Sequence, residues 1–217
     1  MRSLNRPGAL QRRISDELIS QLAPLISMIG VSLDSDHNAT NLAIGRVDAR
    51  GALLNNKELA GLMAKAKTLN PGLVIKLNTV VSALNADADM GNAIATFRPD
   101  RWKVFHMLPV TTDDLAVSYE RFEAFVARHM RYGGVMCVED NDAMNESYLM
   151  LDPLGRFFQN TRDCRGYEYS RSVDVVGARQ AFTDWRFAAA SFASRYRQPP
   201  LEVVPGTIQP VQAGSIP

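Results

Sequence analysis

The 217-residue sequence predicts an α/β fold built around a parallel sheet. The main observation is that apolar segments of strand length alternate with segments of helical periodicity, as in strand–helix–strand crossover units. A second observation limits the prediction: the chain opens on a helical segment, and only about three strands precede a mixed carboxy-terminal region. The pattern therefore indicates part of a barrel or of a doubly wound sheet.

Four elements are predicted in the first half of the chain. They are a helix over 15–27, a strand over 28–34, a helix over 55–69 and a strand over 73–81. Pro24 ends or kinks the first helix, because proline cannot donate a backbone hydrogen bond. Asn55 and Glu58 have the spacing of a capping box and precede a stripe of apolar residues, which favours the second helix.

The second half is predicted to contain one long helix, several strands and a final helix. The predicted strands cover 101–110, 135–139 and 147–152, and GRFFQ is a further strand candidate after them. The long helix is predicted to open at Thr111 and Asp114 and to end at Gly133-Gly134, and the final helix to cover 178–196. The aromatic and branched residues of RWKVFHMLPV are typical of a strand that ends at its proline. Residues 1–14 are predicted to be irregular, 15–196 to form the folded part, and the proline-rich residues 197–217 to be a disordered tail.

Net charge and cysteine usage argue against several classes of function. The formal net charge of +1 gives no overall field that would favour nucleic acid or an anionic membrane. No apolar run approaches the roughly 20 residues that span a bilayer, so a cytoplasmic location is expected. The two cysteines, Cys137 and Cys164, form no CxxC or CxxxCxxC motif and are expected to be buried and reduced.

Four polar residues on two predicted strands form the strongest candidate site. Lys76 and Asn78 lie two positions apart in one strand, as do Arg101 and Lys103 in the next, so each pair shares a strand face. If the strands are parallel neighbours, the three cations converge, and a bound polyphosphate would offset their repulsion and desolvation. The pattern alone favours the alternative of solvated strand ends, because lysine and arginine are usually exposed.

The polar turn after the first strand is a second candidate site. In GVSLDSDHNATNLAIGR, Ser32 and Asp34 share a strand face, and Arg46 lies where it can return to that face. Ligands bind at such strand ends in α/β proteins. A metal site built from Asp34, Asp36 and His37 is disfavoured, because aspartate and serine are ordinary turn residues.

The segment LNADADMG, residues 84–91, is similar to a calcium loop only superficially. Met90 stands in place of the required glycine, and Thr96 stands in place of the bidentate glutamate. The sequence also contains no glycine-rich phosphate loop and no Ser–His–Asp spacing. It therefore predicts neither a calcium site nor a phosphate site of the loop type.

Five segments, taken in order, resemble the second half of the viperin family, the antiviral radical S-adenosylmethionine (SAM) nucleotide dehydratases. They are VSLDSDHNATNLAIGR, IKLNTVVSALNADADM, PDRWKVFHMLPV, NESYLMLDPLGRF and SRSVDVVG. Together they span roughly residues 28–182 and are closest in type to prokaryotic members. The resemblance implies the C-terminal part of a partial (βα) TIM-like barrel, with a C-terminal extension that closes over the substrate.

The resemblance also implies an activity, cofactors and site residues. Family members use a [4Fe–4S] cluster and SAM to make a radical that converts a nucleoside triphosphate, often CTP, into a chain-terminating didehydro nucleotide in antiviral, or antiphage, defence. By motif, Ser32 and Arg46 are expected to contact SAM. The expected contacts to the nucleoside triphosphate are Lys76, Asn78, Arg101, Lys103, Tyr148 and Arg171, the last standing where a lysine is expected.

One departure from the family pattern is large. The sequence contains neither the CxxxCxxC cluster motif nor the Gly-Gly-Glu segment that grips SAM, so this chain alone is expected to form no cluster. One interpretation is a fragment of such an enzyme, from a truncated gene, a start assigned too late or a split protein whose other half is a separate chain. Another is a non-catalytic or degenerate module that binds a nucleoside triphosphate or a partner. A third interpretation, outside the family, is a complete small α/β domain whose strand-end cations are solvated.

Overall fold

The computed structural model describes residues 15–48, 51–53, 55–110, 112–160, 166–184 and 187–197. These residues form two compact units. The first comprises the described residues up to Phe105 together with Val117–Val138, and the second comprises His106–Ala116 and the described residues from Glu139 onward. The predicted irregular residues 1–14 and the predicted disordered tail 197–217 lie outside the described residues, apart from Arg197.

A four-stranded sheet dominates the first unit. Its strands β1 (Met28–Ser32), β2 (Val74–Val81), β3 (Arg101–His106) and β4 (Met136–Glu139) are parallel and lie in that spatial order. The helices are α1 (Asp16–Leu22), α2 (Asn38–Ile44), α3 (Asn56–Leu69), α4 (Gly91–Phe97) and α5 (Tyr119–Arg128), with 3-10 turns at Ala23–Leu25 and Met130–Tyr132. This arrangement confirms the predicted α/β class, whereas a TIM-like barrel stays a prediction.

The pairing of β1 with β2 separates a polar face of the sheet from an apolar one. Gly30 pairs with Lys76, and Ser32 pairs with Asn78, in parallel register. Along β2 the odd-numbered residues from Ile75 onward are buried, and the even-numbered residues are half-buried. Because side chains alternate across a strand, Lys76 and Asn78 lie opposite the buried row.

Helix α3 begins where the capping signal predicts. The Asn55 side chain accepts a hydrogen bond of 3.2 Å from the Glu58 N–H, which satisfies one of the free donors of the first turn. Leu59, Met63 and Ala66 form its buried stripe. The predicted helix over 55–69 is therefore confirmed together with its cap and its apolar face.

Trp102 lies at the centre of the apolar face. The residue is 0% exposed, and its indole Nε1 donates a hydrogen bond of 2.9 Å to Thr79 Oγ1. Its ring meets that of Phe125 in α5 edge-on, with 6.3 Å between centroids. Thr79 and Trp102 therefore share the face that packs against α5. Arg101 and Lys103, which flank Trp102 in β3, lie on the opposite face.

Buried His129 is held in one tautomer by two hydrogen bonds. Its Nδ1 donates to the Phe125 carbonyl at 2.8 Å, and its Nε2 accepts from the Met90 N–H at 2.9 Å. The ring packs edge-on against Trp102, with 5.2 Å between centroids. Burial lowers the pKa of His129 below the ordinary value of 6.5, and this outweighs the opposing effects of the Phe125 carbonyl and the Asp89 carboxylate.

We expect the protein to lose stability below pH 6.5 because of His129. The unfolded chain binds a proton there whereas the folded ring stays neutral, so the free energy of unfolding falls from pH 6.5 towards the lowered folded pKa. His129→Gln, whose amide can accept from Met90 and donate to Phe125, should flatten this dependence. Denaturation curves across this pH range measure it, with the exposed His37→Gln as the control; an unchanged slope in His129→Gln would contradict the prediction.

The second unit contains a three-stranded antiparallel sheet and short helices. Strands β5 (Met150–Leu151), β6 (Arg156–Gln159) and β7 (Glu168–Ser172) lie in that order, with helices α6 (Asn141–Met144), α7 (Val173–Val176), α8 (Ala178–Thr183) and α9 (Ala189–Arg197). Phe157 of β6 meets Phe182 of α8 edge-on, with 5.7 Å between centroids. Phe187 continues this row at 5.6 Å from Phe182, so aromatic contacts join the helices to the sheet.

Several predicted element bounds are corrected by the structure. The helix predicted to open at Thr111 and Asp114 begins at Tyr119, because the Ser118 side chain caps it by accepting from the Arg121 N–H. The helix predicted over 178–196 is two helices, α8 and α9. The strands predicted over 101–110 and 147–152 are shorter and end at His106 and Leu151.

Helices α2 and α4 were not predicted, because both follow polar, turn-forming residues. Each has seven residues, too few for a helical period to stand out from the sequence. Helix α2 ends at Gly45, whose φ of 83° is a left-handed conformation that glycine adopts without strain. Among the described residues no helix is long and apolar enough to cross a membrane, and the cytoplasmic location stays a prediction.

Candidate functional site

The polar face of the four-stranded sheet carries most of the residues predicted to bind anions. Lys76 and Asn78 extend from β2, and Arg101 and Lys103 extend from the neighbouring β3, all opposite the apolar core. Ser32 of β1 lies beside Asn78 as its register partner. The structure therefore places both predicted pairs, and one predicted SAM contact, on one face of three adjacent strands.

Burial distinguishes this face from a set of solvated strand ends. Lys103 is only 6% exposed, and its Nζ lies 5.7 Å from the centroid of the Phe105 ring. Lys76, Asn78 and Arg101 are half-buried. These side chains are thus substantially removed from water, where a charged group is costly unless charged or hydrogen-bonding partners accompany it.

Two side chains on this face have buried polar atoms without partners. Arg101 Nε and Nη2, and Asn78 Oδ1, make no hydrogen bond within the described part of the chain. Buried polar atoms are nearly always hydrogen-bonded, so unpaired ones in a native structure call for a ligand, an ion or water. A ligand that combines anionic oxygens with hydrogen-bond donors would satisfy both groups.

The turn after β1 places Arg46 next to the buried carboxylate of Asp34. Arg46 Nε donates to Asp34 Oδ2, and Asp34 Oδ1 accepts from the Val80 N–H at 2.8 Å. The Asp34 side chain is 1% exposed, whereas that of Arg46 is 25% exposed. Asp34 thus joins the ends of β1 and β2, and the Arg46 side chain that pairs with it is partly exposed.

Asn85 connects the loop after β2 to the end of β1. Its Nδ2 donates to the carbonyls of Asp34 and Val80 at 2.6 and 2.9 Å, and its Oδ1 accepts from the Ser82 N–H at 2.6 Å. It is 1% exposed. Asn85 and Asp34 fix the strand ends beside the polar face, and sequence reasoning assigned neither of them this role. The only available signal was an asparagine shortly after a strand.

The two remaining predicted nucleotide contacts belong to the second unit. Tyr148 lies before β5 and is half-buried, and Arg171 lies in β7 and is exposed. Arg171 Nε and Nη2 donate to the two carboxylate oxygens of Asp184 at 2.8 and 2.7 Å. The positions of Tyr148 and Arg171 are therefore given only relative to the other residues of the second unit.

The described residues do not fit the ligand set of an iron–sulfur cluster. Cys137 is a free cysteine in β4 and is 2% exposed, as predicted, and Cys164 lies outside the described residues. No group of three or more histidine, cysteine, aspartate or glutamate side chains that could hold a metal ion occurs in the described ranges. Such clusters are held mainly by cysteine thiolates, of which this sequence has two.

Comparison with known proteins identifies several relatives, although no protein-family model matches the chain. A Psychrobacter lutiphocae protein named S-adenosylmethionine-dependent nucleotide dehydratase is 42% identical over 186 residues, which cover 86% of this chain and 62% of the relative. A protein of the same name from Pseudoalteromonas ulvae is 35% identical, with 85% and 60% covered. A Siniperca chuatsi nucleotide dehydratase is 28% identical, with 84% and 52% covered. The chain therefore spans about 60% of the length of the first two relatives.

Proposed function

The chain belongs to the viperin family, whose members are named S-adenosylmethionine-dependent nucleotide dehydratases, and on this premise we propose that it forms the nucleoside-triphosphate-binding part of such an enzyme. The proposed substrate is a CTP-like nucleoside triphosphate, and the proposed product is a chain-terminating didehydro nucleotide in antiphage defence. SAM contacts at Ser32 and Arg46, nucleotide contacts at Tyr148 and Arg171, and a cytoplasmic location belong to the same proposal.

One observation carries the binding proposal: the buried, unpaired polar atoms of Arg101 and Asn78 on a face that also bears Lys76 and Lys103. A triphosphate spreads negative charge over several oxygens, so it can accept from the guanidinium fork and offset the charge of both lysines. The hydroxyl and amino groups of a nucleoside can donate the hydrogen bonds that the carboxamide oxygen of Asn78 accepts. The face therefore suits a nucleoside triphosphate better than an apolar or cationic ligand.

The proposed activity requires an iron–sulfur cluster, whose ligands would have to come from residues other than these 217. The two cysteines of the sequence are fewer than the three of the CxxxCxxC motif, so a longer polypeptide or a separate chain would supply the cluster ligands. Iron content and the visible spectrum of this chain after anaerobic reconstitution test this point. A stoichiometric four-iron signal from this chain alone would contradict it.

A second candidate function is a nucleotide-binding module without catalysis, favoured by the same shortage of cysteines. The two candidate functions share the nucleotide-binding face. They differ in whether cluster-binding residues from additional polypeptide act together with it. Adding a separate polypeptide that carries the CxxxCxxC motif should restore dehydration of the nucleotide in the first case. In the second case, turnover should remain absent although the nucleotide binds.

Calorimetric titration of the full chain with CTP tests the binding proposal. We expect a dissociation constant in roughly the micromolar range, and much weaker binding of CMP, because each phosphate adds charge-assisted hydrogen bonds. The affinity should fall as the salt concentration rises, because the cations are screened. Equal affinity for CTP and CMP, or no detectable heat with CTP, would contradict a triphosphate site.

A further inference from the structure

Asp184 holds one edge of the Arg171 guanidinium in the second unit. Arg171 Nε and Nη2 donate to the carboxylate at 2.8 and 2.7 Å, and the Arg171 backbone N–H donates to the same group at 3.2 Å. Two parallel N–H···O bonds give an arginine–carboxylate pair a defined direction. Gln180 Nε2 of α8 lies 3.5 Å from Oδ1 of Asp184. The carboxylate is therefore fixed from both β7 and α8.

The other edge of the guanidinium is open. Nη1 of Arg171 has no hydrogen-bond partner within the described part of the chain, and the Arg171 side chain is 57% exposed against 16% for Asp184. The hydrogen bonds from Arg171 lower the pKa of Asp184 far below 3.8, so the carboxylate stays charged at neutral pH. A guanidinium has five N–H donors. The edge formed by Nε and Nη2 can donate to one carboxylate while the open edge, formed by Nη1 and Nη2, donates to a second anion.

We propose that Asp184 is a positioning residue, which orients Arg171 so that its open edge receives a phosphate oxygen of a nucleoside triphosphate. The inference rests on the proposed function and deepens it, because it gives a role to a carboxylate that the family resemblance does not single out. An arginine fixed in advance loses less side-chain entropy when the ligand binds. The lysine expected at this position has no planar fork and could not be held in this way.

Positioning and simple electrostatics predict opposite effects for the loss of Asp184. If only Coulomb repulsion mattered, removing a negative charge near a bound anion would strengthen CTP binding. If Asp184 orients Arg171, its removal should weaken CTP binding by about fivefold, as expected for freeing one long side chain. The direction of the change therefore separates the two explanations.

A double-mutant cycle on the full chain, with CTP as the titrant, tests the proposal. Dissociation constants are measured by calorimetry for the wild type, Asp184→Ala, Arg171→Ala and the double variant. We expect both single replacements to weaken binding, and Asp184→Ala to have no further effect once Arg171 is absent. An effect of Asp184→Ala that persists in the Arg171→Ala background would show a merely structural role and overturn the proposal.

Asp87→Ala is the matched control, since Asp87 pairs with Arg121 on the exposed surface of the first unit. It should leave CTP affinity unchanged, whereas unchanged or tighter binding by Asp184→Ala would overturn the positioning role. If Arg171→Ala leaves affinity unchanged while the wild type binds CTP, this inference and the proposed Arg171 contact fail, whereas the proposed triphosphate binding by the polar face of the first unit stands. If the wild type does not bind CTP, both fail, so the two failures are distinguishable.

Discussion

Replacing Arg101 by methionine is expected to weaken CTP binding by about thirtyfold without lowering the free energy of unfolding. In the free protein, two nitrogens of this guanidinium are buried and unpaired within the described residues. A phosphate oxygen would gain a hydrogen bond to a charged donor there, worth about 2 kcal/mol. Without ligand these two nitrogens are desolvated and unpaired within the described residues. Methionine, which replaces only the aliphatic stem of arginine, removes that unfavourable term.

CTP titration and chemical denaturation of the same variant measure the two effects. Arg121→Met is the matched control, because the Arg121 guanidinium pairs with Asp87 at the surface and is 44% exposed. It should change neither affinity nor stability appreciably. Lower stability of Arg101→Met with unchanged CTP affinity would identify Arg101 as a structural residue. Lys103→Met, at a position only 6% exposed, should also weaken binding, because a buried ammonium near the phosphates is lost.

Trp102→Ala is expected to lower the free energy of unfolding by about 3–5 kcal/mol. The side chain is 0% exposed, so its removal leaves a cavity between the sheet and α5 and leaves Thr79 without its indole donor. Trp102→Phe keeps most of the ring volume and loses the hydrogen bond, which should cost about 1–2 kcal/mol. Urea denaturation measures both values.

The control for Trp102 is an aromatic residue at the surface of the same unit. Tyr119 is 51% exposed, and Tyr119→Ala should change the free energy of unfolding by no more than about 0.5 kcal/mol. Similar values for Tyr119→Ala and Trp102→Ala would show that Trp102 is not the centre of the core. CTP affinity of Trp102→Phe should stay close to that of the wild type, because the indole faces away from the polar side chains.

The strands and the long helix could be predicted because their signals are local and strong. The asparagine cap and the apolar stripe of α3 are local sequence signals, and the structure contains both. The same-face placement of Lys76 with Asn78, and of Arg101 with Lys103, followed from strand periodicity alone. What periodicity could not supply was the burial of Lys103, because burial depends on neighbours from other strands.

Some residues have roles that the sequence did not reveal, because they act through partners distant in sequence. Asp34 contacts the Val80 N–H, and Asn85 contacts the Asp34 carbonyl, across separations that no local pattern encodes. Asp184, which accepts hydrogen bonds from Arg171, directly follows α8, a helix that the sequence prediction had merged with α9. The strand predicted over 101–110 was too long for a different reason. Residues with high β-propensity continue after His106, where the strand ends.

The strict alternation of β2 also bears on how such a protein can evolve. Core residues and residues of the polar face alternate along this one strand. Under the proposed function, point substitutions at Lys76 or Asn78 can therefore change nucleotide recognition while Ile75 and Leu77 keep the core packed. Insertion or deletion of one residue has a different consequence. It would exchange the two sets, turning charged groups into the core and apolar ones onto the polar face. If the proposed function holds, nucleotide preference can therefore change gradually by substitution in this strand, but not by a change in the strand's length.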